Sequence, residues 1–158
     1  MLNKNFFLLA SSLVLLSSCG GGDKIHLKDD DSVAVSCSNF NQDVKDTVNF
    51  DFDSSELSHV SKGVLQQQAD WIKAEAKQDS QFTVEGHCDI RGTKAYNLAL
   101  GERRAYAAKK YLVDQGIAAD QLSVVSYGSE KPLVQGSTEE AYGQNRRAVT
   151  VSSHHRHD

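Results

Sequence analysis

The stretch VEGHCDIRGTKAYNLALGERRA, from Val84 to Ala105, joins a predicted strand to a predicted helix and thereby decides the fold. The strand, QFTVEGHCD, places Phe82 and Val84 on one face. The helix continues as YNLALGERRAYAAKKYLVDQG, and Gly116 ends it as the C′ residue. The apolar stripe of this helix consists of Leu98, Ala105, Ala108 and Leu112.

The segment before this stretch predicts another strand and another helix. The strand, TVNFDFD, alternates Val48, Phe50 and Phe52 with polar residues. The helix has Ser54 or Ser55 as its N-cap. Its apolar residues recur at helical spacing: Leu57, Val60, Val64, Trp71, Ile72 and Ala76.

The segment after the stretch predicts two further strands, LSVVSYG and RRAVTVSS, on either side of a long polar loop with one short helical turn. The resulting order is β-α-β-α-β-β, in which strands alternate with helices. Such a small number of elements does not make a doubly wound sheet. The sequence therefore predicts an α/β fold, a two-layer sandwich of a mixed four-stranded sheet and two main helices.

The composition is that of one globular domain with additional residues at its ends. The chain has 158 residues, of which 39% are hydrophobic and 24% are charged. The formal net charge is −4, whereas nucleic-acid binding relies on a basic surface that neutralises phosphates. The sequence therefore predicts no nucleic-acid partner, and an anionic ligand would need a few well-placed arginines.

The N-terminus has the three parts of a secretory signal peptide. Lys4 supplies a positive charge, residues 6–16 form an apolar run too short to span a bilayer, and small residues precede Cys19. The tetrapeptide LSSC resembles the bacterial lipobox, which implies that Cys19 is lipidated. The alternative is an ordinary signal peptide with a Cys near its end.

Four segments are predicted along the chain. Residues 1–18 form the lipoprotein signal peptide, and residues 19–46 comprise the lipidated Cys and a flexible tether. Residues 47–152 form the folded domain, and residues 153–158 form a polar tail. When fully extended, residues 20–46 could reach roughly 90 Å.

Cys37 and Cys88 would lie in an oxidising compartment. They could pair with each other or with another chain. They could also remain unpaired, Cys37 as a free thiol on the tether and Cys88 as a small buried residue. The sequence leaves these alternatives open because it does not give the distance between the Cα atoms.

His87, Cys88 and Asp89 are suitable residue types for acyl transfer. However, successive side chains at a strand end point to opposite faces, which separates Cys88 from the other two. His87 and Asp89 alone are too few ligands for a metal site. Three further histidines lie in the polar tail, which is predicted to be solvated: His154, His155 and His157. The pattern predicts neither a catalytic nor a metal site.

Asp89 and Arg104 form a candidate binding site of a different kind. A strand end, a loop and a returning helix can bring them together near the sheet edge. Asp89 offers an acceptor for an ammonium group, and Arg104 offers a planar fork for a carboxylate. The pair suits a zwitterionic amino-acid head group, although a structural salt bridge between the two residues fits the spacing equally well.

Four ordered blocks of the sequence resemble the OmpA-like C-terminal, peptidoglycan-binding domain family. The blocks are VNFDFD, GHCDIRGTKAYNLALGERRAYAAKKYLVDQGI, LSVVSYGSEKPLV and NRRAVTV, and they span roughly residues 48–151. With the lipobox and the tether, the chain resembles the peptidoglycan-associated lipoproteins of this family. The resemblance implies a non-enzymatic domain without cofactor or metal, which binds the diaminopimelate of the peptide stem.

The resemblance also implies which residues bind the ligand. The acidic binding residue of the family falls on Asp89, and its conserved-motif arginine falls on Arg104. Further contact positions fall on Arg91, Phe52, Asp53 and Leu100. Motif positions that hold the surrounding loops fall on Asn97, Asn145 and Arg146. The chain departs from the family at Cys88, where Thr or Ala is usual.

The implied partners are peptidoglycan, the outer membrane through the lipid anchor, and TolB with other Tol proteins. The resemblance therefore predicts a lipid-anchored outer-membrane lipoprotein whose periplasmic domain tethers the outer membrane to the cell wall. Two alternatives are a structural lipoprotein that acts mainly through protein contacts and a cell-wall hydrolase that uses Cys88 or a metal.

Overall fold

The computed structural model describes residues 40–76 and 79–153 of the chain. The predicted signal peptide, Cys19, Cys37 and most of the tether lie outside these residues, as do the three histidines of the tail. The helices are α1 (Phe40–Asp43), α2 (His59–Glu75), α3 (Lys94–Asp114) and α4 (Glu139–Asn145), with a 3-10 turn at Ala119–Gln121. The strands are β1 (Thr47–Asn49), β2 (Gln81–His87), β3 (Leu122–Gly128) and β4 (Arg147–Ser153).

The four strands form one mixed sheet in the order β1-β4-β2-β3. Strand β4 runs antiparallel to both β1 and β2, whereas β2 and β3 are parallel and are connected through α3. Buried residues of α2, α3 and the sheet form a single core cluster that includes Leu65, Leu112 and Val84. The predicted α/β sandwich with a mixed four-stranded sheet is confirmed.

Strand β1 is shorter than the alternation in TVNFDFD predicted. Val48 and Phe50 are buried as expected, but Phe52 is 59% exposed. The chain turns after Phe50, because the Ser54 amide donates to the Asp51 carbonyl at 3.3 Å and Asp53 has a φ of 54°. Phe52 therefore leaves the core and lies on a loop beside the end of the sheet.

Helix α2 begins later than predicted, and its buried side agrees with the predicted stripe in part. Its N-cap is Ser58, whose side chain accepts a hydrogen bond from the Ser61 amide, and not Ser54 or Ser55. Val60 is exposed. The fully buried residues are Ser61, Leu65, Gln68, Ala69 and Ile72, of which Ile72 was predicted. The other predicted residues, Leu57, Val64, Trp71 and Ala76, are partly buried against the core. Buried Gln68 was missed because its side chain satisfies long-range partners, the Lys45 carbonyl and the Thr150 hydroxyl.

Helix α3 follows the prediction at its C-terminal end and differs near its start. Gly116 has a φ of 99° and follows the C-cap Gln115, so its predicted role as C′ is confirmed. Leu98 is exposed, contrary to the predicted stripe, and Asn97 beside it is buried. The N-cap is Thr93.

Two further differences concern the segments outside the predicted elements. Residues 139–145 form a complete short helix, α4, capped by Thr138, where a loop with one helical turn was predicted. Phe40, predicted to belong to the tether, is buried in the core against Trp71 and Phe82. The packed part of the chain therefore begins earlier than residue 47.

The close approach of two glycines fixes α3 on the sheet. A Cβ atom on Gly86 would lie 1.8 Å from the carbonyl oxygen of Gly101, which is closer than any side chain tolerates. Only residues without a Cβ atom allow the backbones of β2 and α3 to touch at this point. Because Gly101 lies one turn before Arg104, this contact also holds Arg104 near the end of β2.

None of the helices within residues 40–76 and 79–153 combines the length and the apolar character that a membrane span requires.

Candidate ligand-binding site

A cavity of about 180 Å³ lies where β2 ends. It is enclosed by the loop after β1, the loop between β2 and α3, and the first turns of α3. All six predicted ligand residues line it: Phe52, Asp53, Asp89, Arg91, Leu100 and Arg104. A larger groove of about 370 Å³ lies between β1 and α2, but none of these six residues lines that groove.

Asp89 is buried at the wall of the cavity, with 4% of its surface exposed. Its Oδ1 accepts hydrogen bonds from the amide and Nε of Arg91, at 3.0 and 3.3 Å. Its Oδ2 accepts from Arg91 Nη2 at 2.7 Å and from Arg146 Nη1 at 3.4 Å. Burial by itself raises the pKa of Asp89, but the hydrogen bonds from Arg91 and Arg146 outweigh it and lower the pKa. Asp89 is therefore a carboxylate.

Arg91 is the more exposed of the cavity's two arginines, with 35% of its side chain accessible. Its guanidinium carbon lies 4.2 Å from the centre of the Phe52 ring and 4.3 Å from that of Tyr142. Its Nη1 also donates to Glu139 at 3.2 Å. Arg91 thus connects the wall at Asp89 with helix α4.

Arg104 has a different environment, since only 1% of its surface is exposed. Its Nε donates to the Ser54 carbonyl at 2.8 Å, its Nη1 to the His87 carbonyl at 2.9 Å and its Nη2 to the Asp51 carbonyl at 3.0 Å. Three of the five guanidinium N–H groups are thereby occupied by the main chain. The alternative of a direct salt bridge is not realised, because the ion-pair partners of Asp89 among the described residues are Arg91 and Arg146.

The remaining predicted residues form the rim and the floor of the cavity. The Tyr96 hydroxyl donates to a carboxylate oxygen of Asp53, which joins the loop after β1 to α3. Phe52 is exposed beside them, and Leu100 is buried below them. The cavity thus has a charged wall and an aromatic rim.

Three predicted motif positions hold the loops around the cavity. Asn97 donates to the carbonyls of Asp89 and Arg91, at 3.2 and 3.0 Å. Asn145 accepts from the amides of Leu133 and Val134 and donates to the Val134 carbonyl. Arg146 also contacts the wall of the cavity, because its Nη1 donates to the carboxylate of Asp89.

Cys88 and His87 show no sign of a nucleophile and its base. Cys88 is a buried free thiol that donates to the Asn97 carbonyl at 3.2 Å, and burial raises its pKa. His87 is also buried, and neither of its ring nitrogens has a hydrogen-bond partner among the described residues. The Nε2 atom lies 3.5 Å from a Glu85 oxygen without making a hydrogen bond. Burial, with Arg147 nearby, lowers the pKa of His87 to about 4.

Within the described part of the chain, no three His, Cys, Asp or Glu side chains come together as metal ligands would.

The contribution of α4 was not predicted from the sequence. Glu139 and Tyr142 both contact the guanidinium of Arg91, yet neither was predicted as part of the site. The signal for the helix was present, because Thr138 is followed by two acidic residues as at many helix N-termini. Which side of α4 faces the cavity depends on tertiary packing.

Comparisons with known proteins identify similar chains. A peptidoglycan-associated lipoprotein of Agrobacterium fabrum is 44% identical over 112 residues, which cover 71% of this chain and 62% of the relative. A peptidoglycan-associated lipoprotein of Pasteurella multocida is 40% identical over 146 residues, which cover 90% of this chain and 93% of the relative.

A solved structure shows the same fold. The crystal structure of the peptidoglycan-associated lipoprotein from Burkholderia pseudomallei matches with a TM-score of 0.65 at 39% identity, covering 69% of this chain and 91% of that one. The model of the OmpA family matches residues 49–147, which contain every predicted ligand residue. On this evidence, the chain belongs to the OmpA family.

Proposed function

We propose that this chain is a lipid-anchored outer-membrane lipoprotein that binds peptidoglycan non-covalently and tethers the outer membrane to the cell wall. Acylated Cys19 would hold one end, and the segment after it would span the distance to the wall. The observation that carries the proposal is the convergence of the six predicted ligand residues on one cavity at the end of β2. The names of the relatives, which describe association with peptidoglycan, support it.

The proposed ligand is the diaminopimelate of the peptide stem. Its side chain carries an ammonium group and a carboxylate. The buried carboxylate of Asp89 supplies the negative charge that would bind the ammonium group. Arg104 lines the same cavity, and the N–H groups that the main chain leaves unused would bind the carboxylate.

The proposal includes no catalytic step. A raised thiol pKa at Cys88 and an imidazole that lacks a hydrogen bond to that thiol oppose a cysteine hydrolase. Participation in the Tol system, with TolB as a partner, is part of the proposal because the family resemblance implies it.

Binding to purified sacculi tests the function. The full-length chain in detergent is mixed with sacculi that contain diaminopimelate, and the bound fraction is measured over a range of protein concentrations. Asp89→Asn keeps the shape of the side chain and removes its charge. We expect it to weaken binding by at least about 30-fold, since losing one partner of a desolvated charge pair costs about 2 kcal/mol or more.

The matched control is Asp114→Asn, which makes the same charge change at an exposed residue paired with Lys110 at the end of α3. Its binding should equal that of the unchanged protein. Equal binding by Asp89→Asn would refute the site. Equal binding to sacculi with lysine in place of diaminopimelate would refute the ligand, and absence of binding would favour a lipoprotein that acts through protein contacts.

A further inference from the structure

The carboxylate of Asp89 has no vacant acceptor position for a ligand. An ionised carboxylate offers about four lone-pair positions. Four N–H groups occupy them: the amide, Nε and Nη2 of Arg91 and the Nη1 of Arg146. With 4% of Asp89 exposed, little of the carboxylate is open to solvent. A ligand ammonium group can bind Asp89 only if one of these donors leaves.

The guanidinium of Arg91 occupies an environment suited to a cation. It lies between the rings of Phe52 and Tyr142, at 4.2 and 4.3 Å, with carboxylates of Asp89 and Glu139 at 2.7 and 3.2 Å. Two aromatic faces and two carboxylates would stabilise any cation of similar size. We call Phe52, Tyr142, Asp89 and Glu139 the cation subsite.

We propose that Arg91 is an internal occupant of the cation subsite and that a ligand ammonium group binds there by displacing it. Displacement breaks the hydrogen bonds from Nε and Nη2 to Asp89, while the main-chain amide of Arg91 keeps its own. The inference rests on the proposed function, because it assumes that the ligand carries an ammonium group. It adds that Arg91 competes with this group.

Arg91 is the donor that can leave. Its side chain is 35% accessible, it lies in the loop before α3, and water can solvate its guanidinium after displacement. The side chain of Arg146 is only 12% accessible, and its Nε also donates to the Phe50 carbonyl at 3.1 Å. Arg104 is held by three main-chain carbonyls.

Competition by Arg91 makes the site selective and lowers its affinity. A ligand without a positive group gains nothing from displacing Arg91, so the subsite favours amines over neutral groups. Because only the fraction of molecules with Arg91 displaced can bind, the apparent dissociation constant is raised by the inverse of that fraction. Removing the Arg91 side chain should therefore strengthen binding of an amine, whereas removing an ordinary contact residue weakens binding.

An NMR titration of the full-length protein with meso-diaminopimelate tests this inference. We expect Arg91→Ala to bind about tenfold more tightly than the unchanged protein, if about one molecule in ten has Arg91 displaced. The matched control is Arg103→Ala, which removes an equal charge from an exposed arginine that contacts the Tyr96 ring and not Asp89. Its affinity should stay within about twofold of the unchanged protein. Arg91→Ala should not increase the affinity for pimelate, which is the same dicarboxylate without amines.

The unchanged protein provides an independent readout in the same titration. The Nε–H signal of Arg91 should shift on ligand addition and exchange faster with water, while that of Arg104 should keep its protection. Unchanged or weaker binding by Arg91→Ala, an equal gain from Arg103→Ala, or an unmoved Arg91 signal would each overturn the inference. If the protein binds sacculi and diaminopimelate but Arg91→Ala does not increase the affinity, the inference about Arg91 is overturned and the proposed function stands. Absence of diaminopimelate binding in every variant would overturn the proposed ligand as well.

Discussion

The two residues that flank Cys88 are both buried but differ in their hydrogen bonds. On the cavity side, Asp89 is buried with four hydrogen bonds from two arginines. On the other side, His87 is 2% exposed, stacks on the Tyr127 ring at 5.4 Å and has no hydrogen bond to either ring nitrogen among the described residues. Residues two positions apart in the sequence thus differ completely in their partners.

The difference shows two ways of burying a titratable group. The arginines keep Asp89 charged, since their hydrogen bonds lower its pKa against the effect of burial. Burial keeps His87 neutral, since its pKa falls to about 4. The charged Asp89 can attract a cationic ligand, whereas the neutral imidazole of His87 packs on the Tyr127 ring.

The largest effect is expected on the cavity side, from Arg104→Ala. The change leaves the carbonyls of Ser54, His87 and Asp51 without their donors. We expect the free energy of unfolding to fall by about 4 kcal/mol, as when one partner of a buried charged network is removed. Urea unfolding followed by circular dichroism measures this. Arg104→Ala therefore tests stability more directly than ligand binding.

The control for Arg104→Ala is Arg103→Ala, its exposed neighbour, which should change stability by no more than about 0.5 kcal/mol. Arg104→Lys should fall between the two, because one ammonium group does not reach all three carbonyls as the planar guanidinium does. Equal losses from Arg103→Ala and Arg104→Ala would contradict the structural role of Arg104.

The next largest effect is expected at His87, which makes stability depend on pH. The folded pKa of His87, about 4, lies below its ordinary value of 6.5. Between these values the unfolded chain binds the proton more readily, so stability falls as the pH falls, by about 3 kcal/mol in total. The contribution of Asp89 is lost only at lower pH, since its pKa lies below its ordinary 3.8.

Urea unfolding at about pH 7 and about pH 4 measures this dependence. His87→Leu should remove most of the difference between the two conditions, because leucine fills a similar volume and does not titrate. A difference that survives in His87→Leu would show that other groups cause it.

A smaller effect is expected at Cys88, which lies between His87 and Asp89. Cys88→Ser keeps a donor for the Asn97 carbonyl and replaces a buried sulfur with a smaller, more polar oxygen. We expect a loss of about 1 kcal/mol in the free energy of unfolding. Sacculus binding should remain unchanged when measured on the folded protein. Loss of a cell-wall hydrolase activity in this variant would restore the nucleophile hypothesis.

The smallest change in stability is expected from Arg91→Ala. The Arg91 side chain is 35% accessible, so its removal lets water reach the carboxylate of Asp89, and the pair with Glu139 is already exposed to water and salt. Thermal unfolding should show a change of no more than about 1 kcal/mol. A loss as large as that of Arg104→Ala would mean that both arginines are structural, and the contrast between them would disappear.

Much of the fold could be predicted from local sequence patterns. The alternation in β2, the turn at Gly116 and the order of strands and helices follow from periodicity and glycine. The prediction failed where a residue takes part in long-range contacts. Phe52 continues the alternation of TVNFDFD, yet the turn at residues 51–54 moves it to the cavity rim. Phe40 appeared to belong to a polar tether, yet it packs on Trp71.

The candidate site was likewise predictable in its residues and not in their long-range contacts. The residue types at positions 89 and 104, together with the family resemblance, predicted one cavity. The partners of each residue were not predictable, because Arg146 and α4 lie about 50 residues further along the chain from Asp89. Their approach depends on the position of β4 between β1 and β2.

The strand that ends at His87 and the helix that carries Arg104 follow from short-range periodicity, and Asp89 lies between them in the sequence. The contacts that distinguish the two arginines of the site depend on the tertiary structure. Arg104 points into the main chain of three segments that meet at the sheet end. Arg91 lies at the surface between two rings. The number and burial of a guanidinium's partners depend on segments distant in sequence, so no local pattern could distinguish the two.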